Sequence, residues 1–448
     1  MHLSPAKSII TVLLTLAATA MPAFANGFII SKDTTTVKKG WTWSAVPMLA
    51  YSSTMGIQLG AQGHAYFHGD GSHYPQPVHD IGAKFSWYSH GNMYANISYD
   101  SKFLIPGVRL SVAATYTNEP MFHFYGYNGA AQLYYNSMGA SLYGMNRSSA
   151  KFTSSFQGTI WENFSWAAGF TYWWMKTSAL NGRFAEKFCP DGDNTIYTSY
   201  VDYGLIGAKE AKGGNHMELK AGVVYDSRDK EAAPEKGIWA ELYAFGAPDM
   251  FKSGFNYLKL AFHFRHFVSL PWKWKGGGMV FAYHLGYQGT VAGETPFYMQ
   301  QNICNLVQRQ VMSEGLGSTS TVRAIGQNRI VGDGVAWLNA EFRVKIWSFN
   351  LFRQFFYIGV CPFYDMGMVV QPYRADKHFA FVKEYEPHMT REEYNKLVYT
   401  PVHNVGGGIS VGWNENFVGL IQIGKTLNQT NRGMEEGLWI DLGVGYAF

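Results

Sequence analysis

The chain has 448 residues, of which 47% are hydrophobic, 17% aromatic and only 15% charged, and its formal net charge is +4. Soluble domains carry about a quarter charged residues. This chain is therefore short of charge and rich in the ring side chains that favour strands and membrane interfaces. The small net charge and the lack of a basic stripe in the sequence argue against a nucleic-acid partner.

The N-terminus predicts an export signal. Residues 1–8 carry two basic groups, residues 9–20 are mostly apolar, and Ala23-Phe24-Ala25 is a small-x-small cleavage pattern. We therefore expect a signal peptide at residues 1–25. No later apolar run reaches the roughly 18 to 20 residues that a membrane-spanning helix needs.

Most of the remaining sequence alternates with a period of two. Between residues 257 and 264, Leu258, Leu260 and Phe262 share one face of a strand, and Lys259 and His263 share the other. A strand needs this pattern when lipid lies on one side and a water-filled lumen on the other. A soluble β-sandwich also alternates, so the period alone leaves both architectures open.

The C-terminal end favours the membrane barrel. Apolar residues alternate with small or polar ones up to the last residue, and this set comprises Ile440, Leu442, Val444, Tyr446 and Phe448. The pattern resembles the terminal strand of bacterial outer-membrane barrels. We therefore predict that Tyr446 and Phe448 belong to a C-terminal signal read by the assembly machinery.

The alternating segments predict 16 strands, an even number as in single-chain bacterial barrels. They span residues 44–53, 56–68, 79–89, 92–102, 107–118, 149–159, 163–175, 216–226, 237–246, 253–266, 279–289, 335–347, 355–366, 405–413, 417–426 and 437–448. We expect a short periplasmic segment at 26–43 and an outer-membrane barrel at 44–448. With the C-terminus in the periplasm, the long connections 176–215, 290–334 and 367–404 lie outside the cell.

Three charged residues suggest a site inside this barrel. Arg323 lies in the sequence Thr-Val-Arg-Ala-Ile-Gly within a long connection, while Glu341 and Asp365 fall on the polar faces of the two following strands. Two carboxylates and one guanidinium can pair in a lumen. An unpaired cation would be poorly solvated there, so we predict that Arg323 anchors its connection.

These residues resemble the sixth-loop signature of the BamA/TamA superfamily of outer-membrane assembly and secretion barrels, the bacterial surface antigen type. In that family the arginine of a Val-Arg-Gly-Phe/Tyr loop contacts strand carboxylates, including the acid of a Phe-x-Asp-x-Gly motif. Residues 363–367 match the second motif through Phe363, Asp365 and Gly367. In the loop motif Val322, Arg323 and Gly326 stand beside Ala324 and Ile325, which replace the family's glycine and aromatic residue.

Two further segments carry the resemblance. Residues 225–229 with 234–237 are similar to the family's Tyr-Asp-Thr-Arg-Asp…Pro-x-Lys-Gly hairpin, and residues 406–413 are similar to its late glycine-rich strand. The resemblance implies an all-β, transmembrane antiparallel barrel of about 16 strands with a long sixth extracellular loop folded into the lumen. It also implies residence in the outer membrane of a Gram-negative bacterium, in contact with outer-membrane lipids and lipopolysaccharide.

The implied function is assistance in the insertion or translocation of outer-membrane or surface proteins. About twenty residues separate the export signal from the first strand, so we expect a POTRA-less member that depends on a separate periplasmic or lipoprotein partner for client delivery. Clients would use a weakly paired seam between the first and last strands, where Gly437, Gly443 and Gly445 reduce packing. The alternative is a passive or gated pore, or a structural barrel in which Arg323 only stabilises the fold.

Other residue clusters are interpreted conservatively. Four histidines near one turn, with Asp70, have metal-ligand chemistry, but a polar turn is the better interpretation; they are His64, His68, His73 and His79. Three cysteines leave open either one disulfide, Cys189 with Cys304, or three free thiols. No Gly-x-Ser-x-Gly elbow occurs, so we predict no enzymatic activity, no metal and no cofactor.

Overall fold

The computed structural model describes residues 37–52, 56–74, 76–132, 142–180, 195–230, 233–303, 313–317, 319, 321–351, 354–413, 417–428, 438–444 and 446. The predicted signal peptide, the glycines at 437 and 445, Phe448, Cys189 and Cys304 lie outside these residues.

The described residues form one large antiparallel sheet of 17 strands. The strands of its first half are β1 (Trp41–Ser52), β2 (Gly56–Phe67), β3 (His79–Tyr88), β4 (Met93–Ile105), β5 (Val108–His123), β6 (Gly144–Trp161), β7 (Phe164–Ser178), β8 (Gly213–Asp226) and β9 (Gly237–Ala247). The second half contains β10 (Tyr257–Trp274), β11 (Gly277–Gly293), β14 (Gly334–Leu351), β15 (Gln354–Val360), β16 (Phe363–Gln371), β17 (Val402–Trp413), β18 (Phe417–Thr426) and β19 (Trp439–Val444). A separate hairpin joins β12 (Asn302–Ile303) to β13 (Ser313–Glu314).

The 17 strands occupy 16 positions in the wall. Strands β15 and β16 both lie between β14 and β17, and only Cys361 and Pro362 separate them. Proline lacks a backbone N–H, so an interruption of the ladder at this point is expected. The predicted fold class, an antiparallel barrel of about 16 strands, is confirmed.

The two faces of the wall differ as the alternation predicts. On β10, Leu258 and Phe262 are exposed on the outer face, whereas Lys259, Ala261 and His263 are buried on the inner face. Side chains alternate between faces along a strand, so this order places apolar side chains outside and polar ones in the lumen.

The connections divide the barrel into two ends. Long connections at 124–143, 179–212, 294–333 and 372–401 emerge at one end, which we call the loop end, and most connections at the opposite turn end are short. The described parts of the long connections contain four α-helices: α1 (Ile196–Asp202), α2 (Phe297–Gln300), α3 (Ala375–Tyr385) and α4 (Arg391–Val398). No helix in the described part of the chain is long and apolar enough to cross a membrane.

The long connections pack on one another in a single hydrophobic cluster. It includes Phe124, Tyr200, Phe297, Phe381 and Tyr394, all of which are almost fully buried. Apolar burial on this scale stabilises connections that would otherwise be mobile. The cluster therefore covers the loop end of the barrel.

A buried histidine links two of these connections. His378 on α3 hydrogen-bonds through Nε2 to the Tyr200 hydroxyl (2.9 Å) and through Nδ1 to the Tyr394 hydroxyl (2.9 Å). Tyr200 already donates its proton to Gln132 (2.7 Å), so Nε2 carries the imidazole proton and Nδ1 accepts from Tyr394. Desolvation lowers the pKa of His378 to about 3, which keeps this ring neutral at pH 7.

The first and last strands meet without a ladder between them. Cα atoms of β1 and β19 approach within 8 Å, which brings the two ends of the sheet together. Within residues 41–52 and 439–444, no ladder pairs these strands, although β1 pairs with β2 and β19 with β18. Strand β1 also contains Pro47, a residue found in sheets mainly at edges because it cannot donate to a ladder.

Candidate functional site

The long connection before β14 enters the lumen and is fixed there by Arg323. Its guanidinium donates to both carboxylate oxygens of Asp365 through Nε and a terminal nitrogen (both 2.8 Å) and to Glu341 (2.7 Å). The backbone N–H of Arg323 also donates to Asp365 (2.9 Å). All three side chains have 0% exposure. Arg323 is thus held by the two carboxylates that the sequence singled out, with the bidentate geometry that gives strong charge-assisted hydrogen bonds.

Lumenal side chains also hold the backbone on either side of Arg323. The amide groups of Asn339 on β14 and Asn404 on β17 donate to the carbonyls of residues 321 and 323. Thr426 on β18 donates to the carbonyl of Ala324 (3.3 Å). Buried carbonyls need such partners. Residues 321–324 are therefore recognised through their backbone as well as through the arginine.

The strand motif contributes more than its carboxylate. The ring of Phe363 lies 3.8 Å from the Arg323 guanidinium carbon, a cation–π contact. Gly367 lies against Val322, because a Cβ on this glycine would come within 2.7 Å of the valine methyl group. Each residue of the motif Phe-x-Asp-x-Gly therefore has its own role. The phenylalanine covers the guanidinium of Arg323, and the aspartate pairs with it. The glycine leaves room for Val322, the residue before the arginine.

Ala324 adopts a backbone conformation that glycine prefers. Its φ is 68°, in the left-handed region that costs an L-residue roughly 1 kcal/mol or more. The methyl group of Ala324 is accommodated by Gly424 on β18, whose own Cβ would lie 2.9 Å from it. Ile325 is fully buried in the loop-end cluster, and Gly326 follows it at the edge of that cluster. The loop therefore keeps its tight turn without a glycine at position 324.

The charge network continues from the loop anchor to the C-terminal end of the chain. The second oxygen of Glu341 accepts from Nε of Arg343 (2.7 Å), and the Arg343 guanidinium carbon lies 4.1 Å from the ring of Tyr446. The Tyr446 hydroxyl is 3.3 Å from that of Tyr357 on β15. Glu341 therefore connects Arg323 to the groups that contact Tyr446.

The position of Tyr446 differs from the outward alternation expected for the last strand. In the ladder with β18, Ile440 and Leu442 pair with outward-facing residues, so a regular strand would also point Tyr446 outward. Instead its ring contacts Arg343 and Tyr357, which are buried on the inner face. The described ladder of β19 ends at Val444, and the ring of Tyr446 makes a cation–π contact in the lumen.

The seam residues are only partly described. Gly443 lies in β19 opposite Leu420 of β18. Gly437, Gly445 and Phe448 lie outside the described residues, so the roles predicted for them stay predictions.

Charged and aromatic side chains also pack together where β8 and β9 approach the turn that joins them. Trp239 lies between two guanidinium groups, with the carbon of Arg228 at 3.9 Å and that of Arg265 at 4.1 Å from its ring. Arg228 donates to Asp226 (2.7 Å) and Arg265 to Glu241 (3.0 Å). The hairpin motif noted in the sequence is thus a stacked set of charges and rings at the turn end.

The four histidines near the turn between β2 and β3 do not converge on one point, and each has its own contacts. His64 hydrogen-bonds to Asp80 (2.8 Å), His68 to Thr42 (3.1 Å) and His79 to Tyr99 (2.8 Å). His73 stacks on a phenylalanine ring, and Asp70 accepts from the backbone of Ser72. Among the residues that the structure describes, no group of three histidine, cysteine or acidic side chains is placed to hold a metal ion.

Several residues of the site were not identified from the sequence. They are Asn339, Arg343, Asn404, Gly424 and Thr426. Asn339 and Arg343 share the inward parity of Glu341, so strand alternation was a usable signal for them. Asn404, Gly424 and Thr426 carry no comparable signal, because only the folded loop brings their strands against residues 321–324.

The fold and the site together define the class of protein. It is a β-barrel in which two lumenal carboxylates hold an arginine of a long connection. The chain belongs to the Omp85 superfamily, whose domain profile matches residues 80–448. The resemblance to BamA and TamA noted in the sequence is confirmed at the level of this superfamily. No curated protein sequence matches the chain.

Solved structures share the fold. BamA from Haemophilus ducreyi, in a form lacking POTRA domains 1–3, aligns with a TM-score of 0.55 and 12% identity over 91% of this chain and 70% of that chain. CdiB from Escherichia coli aligns with a TM-score of 0.56 and 9% identity over 91% of this chain and 63% of that chain. This chain therefore spans less than two thirds of the length of CdiB, and at these identities the likeness is one of fold.

Proposed function

We propose that this protein resides in the outer membrane of a Gram-negative bacterium, with the loop end outside the cell. The apolar outer face and the polar lumen support this location. So do the aromatic side chains at the turn end of the outer face, such as the stacked pair Trp41 and Trp43. Lipids of both leaflets, including lipopolysaccharide in the outer one, would be its immediate surroundings.

We further propose that the barrel assists insertion or translocation of outer-membrane or surface proteins at the seam between β1 and β19. The observation that carries this proposal is the missing ladder between the described parts of these two strands. An edge strand offers unpaired backbone groups to an incoming strand. A client segment could thus extend the sheet at β1 before it leaves into the membrane.

The loop anchor and Tyr446 would set how tightly the seam is held. Tyr446 follows β19 directly, and it is fixed in the lumen by Arg343, which shares Glu341 with Arg323. Movement of the last strand would therefore disturb the same carboxylate that holds the loop. A separate periplasmic or lipoprotein partner would deliver clients to this site.

Disulfide trapping tests the seam. Cysteine pairs are introduced between lumen-facing positions of β1, such as Ser44, and of β19, such as Asp441. The matched control joins Gln422 and Asp441, which already face each other in the β18–β19 ladder. We expect a seam disulfide to stop client assembly and a reductant to restore it, while the control bond has no effect. Undiminished assembly with a fully formed seam disulfide would contradict the proposal.

A passive or gated pore is the competing function. The hydrophobic cluster over the loop end and the connection inside the lumen both oppose a permanently open channel. Planar-bilayer recordings on the intact protein and on a form lacking residues 315–330 separate the two functions. Large conductance gained by the deletion, together with normal client assembly after depletion of the protein, would favour the pore.

A further inference from the structure

The connection between β9 and β10, residues 248–256, carries an apolar pair on the outside of the barrel. Phe251 makes an edge-to-face contact with Tyr172 of β7, with ring centroids 5.7 Å apart. Tyr172 shares the outward parity of β7, and its hydroxyl donates to Asn215 of β8 (3.1 Å). The connection therefore crosses the outer face of β8, where β8 extends beyond its last partner on β9.

Apolar side chains of this connection stay exposed. Met250 has 61% exposure and Phe251 has 44%. Exposed large apolar residues next to each other on a loop are unfavourable in water and favourable at a lipid surface. The outward row of β7 ends at the same level with Tyr172, Trp174 and then Lys176, an aromatic-to-cationic order typical of a membrane interface.

Four exposed lysines lie on the segments that meet at this connection. They are Lys176, Lys209, Lys212 and Lys252. The ammonium of Lys209 lies 3.5 Å from the position that a side chain on Gly254 would occupy. The carbonyl of Lys212 accepts from the backbone N–H of Thr177, next to Lys176 (3.3 Å). The lysines thus come from three segments that fold together at the loop-end rim.

Few carboxylates oppose these cations in the part of the three segments that the structure describes. In the described parts of the same segments, Glu210 is buried and pairs with Arg374. Asp249 is occupied by hydrogen bonds from Ser253 (3.1 Å) and the N–H of Gly254 (3.2 Å), and Asp202 is exposed at the end of α1. Among the described residues of these segments, the four exposed lysines therefore outnumber the exposed carboxylates beside the apolar tip.

We propose that this rim patch binds an acylated, phosphorylated glycolipid of the outer leaflet. The lysines would contact the phosphates of the headgroup, and Met250 and Phe251 would insert among its acyl chains. Lysine is a common phosphate ligand, and clustered basic residues beside apolar anchors favour anionic lipid. The inference rests on the proposed outer-membrane location but not on client handling.

Lipid titration of the purified full-length protein tests the patch. Native mass spectrometry measures retention of diphosphorylated lipid A, of its dephosphorylated form and of phosphatidylglycerol. We expect the variant Lys176→Gln, Lys209→Gln, Lys212→Gln, Lys252→Gln to retain diphosphorylated lipid A at least about tenfold more weakly, because each basic residue near the membrane surface contributes to the binding of anionic lipid. The wild type should prefer this lipid over both others.

The control variant removes four exposed lysines elsewhere: Lys275, Lys377, Lys383 and Lys396. It should bind as the wild type does, and heat-modifiable electrophoresis checks that both variants are folded. A further variant, Phe251→Ser, should weaken retention without changing the charge. Equal retention by the patch and control variants, or equal binding of phosphatidylglycerol, would overturn the proposal. A separate client-assembly assay reports on the proposed function, so failure of one is distinguishable from failure of the other.

Discussion

The ion pairs of two early hairpins and the ion pairs of the loop anchor differ in burial and in the segments that they join. In the first half, Arg109 pairs with Asp100 (3.0 Å) and Arg147 with Glu119 (2.5 Å), each between adjacent strands and each with a partly exposed partner. In the second half, Arg323 and its two carboxylates have no exposure and join a connection to two strands. The first kind of pair joins the two strands of one hairpin, while the second kind joins a long connection to two strands of the wall.

Burial sets the energetic difference between these two kinds of pair. Water can solvate a partly exposed partner after its counter-ion is removed, so the loss is small. A charge with no exposure has no such substitute, and breaking its pair leaves it uncompensated. The loop anchor should therefore be sensitive to single substitutions that the hairpin pairs of β4–β5 and β5–β6 tolerate.

The largest expected effect comes from the loop anchor. Arg323→Ala leaves the buried Asp365 without the guanidinium that pairs with it and leaves Glu341 with Arg343 alone, which we expect to lower stability by about 3 to 5 kcal/mol. Thermal unfolding followed by heat-modifiable electrophoresis measures the change. The matched control, Arg109→Ala, should cost no more than about 1 kcal/mol. Similar losses of stability in the two variants would show that burial does not separate the loop anchor from the hairpin pair.

A smaller effect is expected where the network reaches the last strand. Arg343→Ala and Tyr446→Ala each remove the same cation–π contact, so the double variant should be less destabilised than the sum, with a coupling of about 0.5 to 2 kcal/mol. Hydrogen exchange of the β18–β19 amides reports the change, and each single variant should raise it. Tyr446→Phe keeps the ring and should stay near the wild type. If the losses of stability in the two alanine variants add strictly in the double variant, Arg343 and Tyr446 are not coupled.

The loop-end cluster should respond to pH through His378. Burial lowers the pKa of His378 to about 3, so between pH 6.5 and 3 the unfolded segment binds a proton that the folded one excludes. The cluster should thus become less stable as the pH falls below about 6.5. The equilibrium constant for its opening should rise by at most about tenfold for each pH unit. Hydrogen exchange of α3 at pH 7 and pH 5 measures it. His378→Asn should flatten this dependence; an unchanged slope would exclude His378 as its source.

The smallest effect is a gain in stability. Ala324→Gly relieves the left-handed backbone at φ 68° and should stabilise the anchored loop by about 1 kcal/mol or less, since glycine also gains freedom in the unfolded chain. Gly424→Ala should do the opposite, because its Cβ would lie 2.9 Å from that of Ala324. Protease resistance of the connection compares the two variants with the wild type. Destabilisation by Ala324→Gly would show that the methyl contact outweighs the strain.

Most of the wall could be predicted from the sequence, because alternation along a strand follows directly from one apolar and one wet surface. The segment predicted at 417–426 has the bounds observed for β18. Strand ends were less predictable: β14 continues to Leu351, beyond the predicted 347, since its pairing with β15 depends on tertiary contacts.

Residues of the site could be predicted from the sequence only where a charged residue lies on the inward face of a strand. Glu341 and Asp365 stand out as acids on inward faces, whereas Asn404 and Thr426 are ordinary polar residues until a loop carbonyl lies beside them. Alternation alone would place Tyr446 on the outer face, because it assumes that the strand continues. The cation–π contact with Arg343 on another strand overrides that local pattern.

The central claim is that client proteins engage the seam, and photocrosslinking in intact cells tests it most directly. Photoreactive residues are placed along β19, at Trp439, Ile440 and Leu442, and along β1, with Leu258 on the outer face of β10 as a control. We predict that β1 and β19 capture unfolded outer-membrane or surface proteins and that Leu258 does not. Capture of nothing but the opposite strand of the same folded barrel would contradict the account.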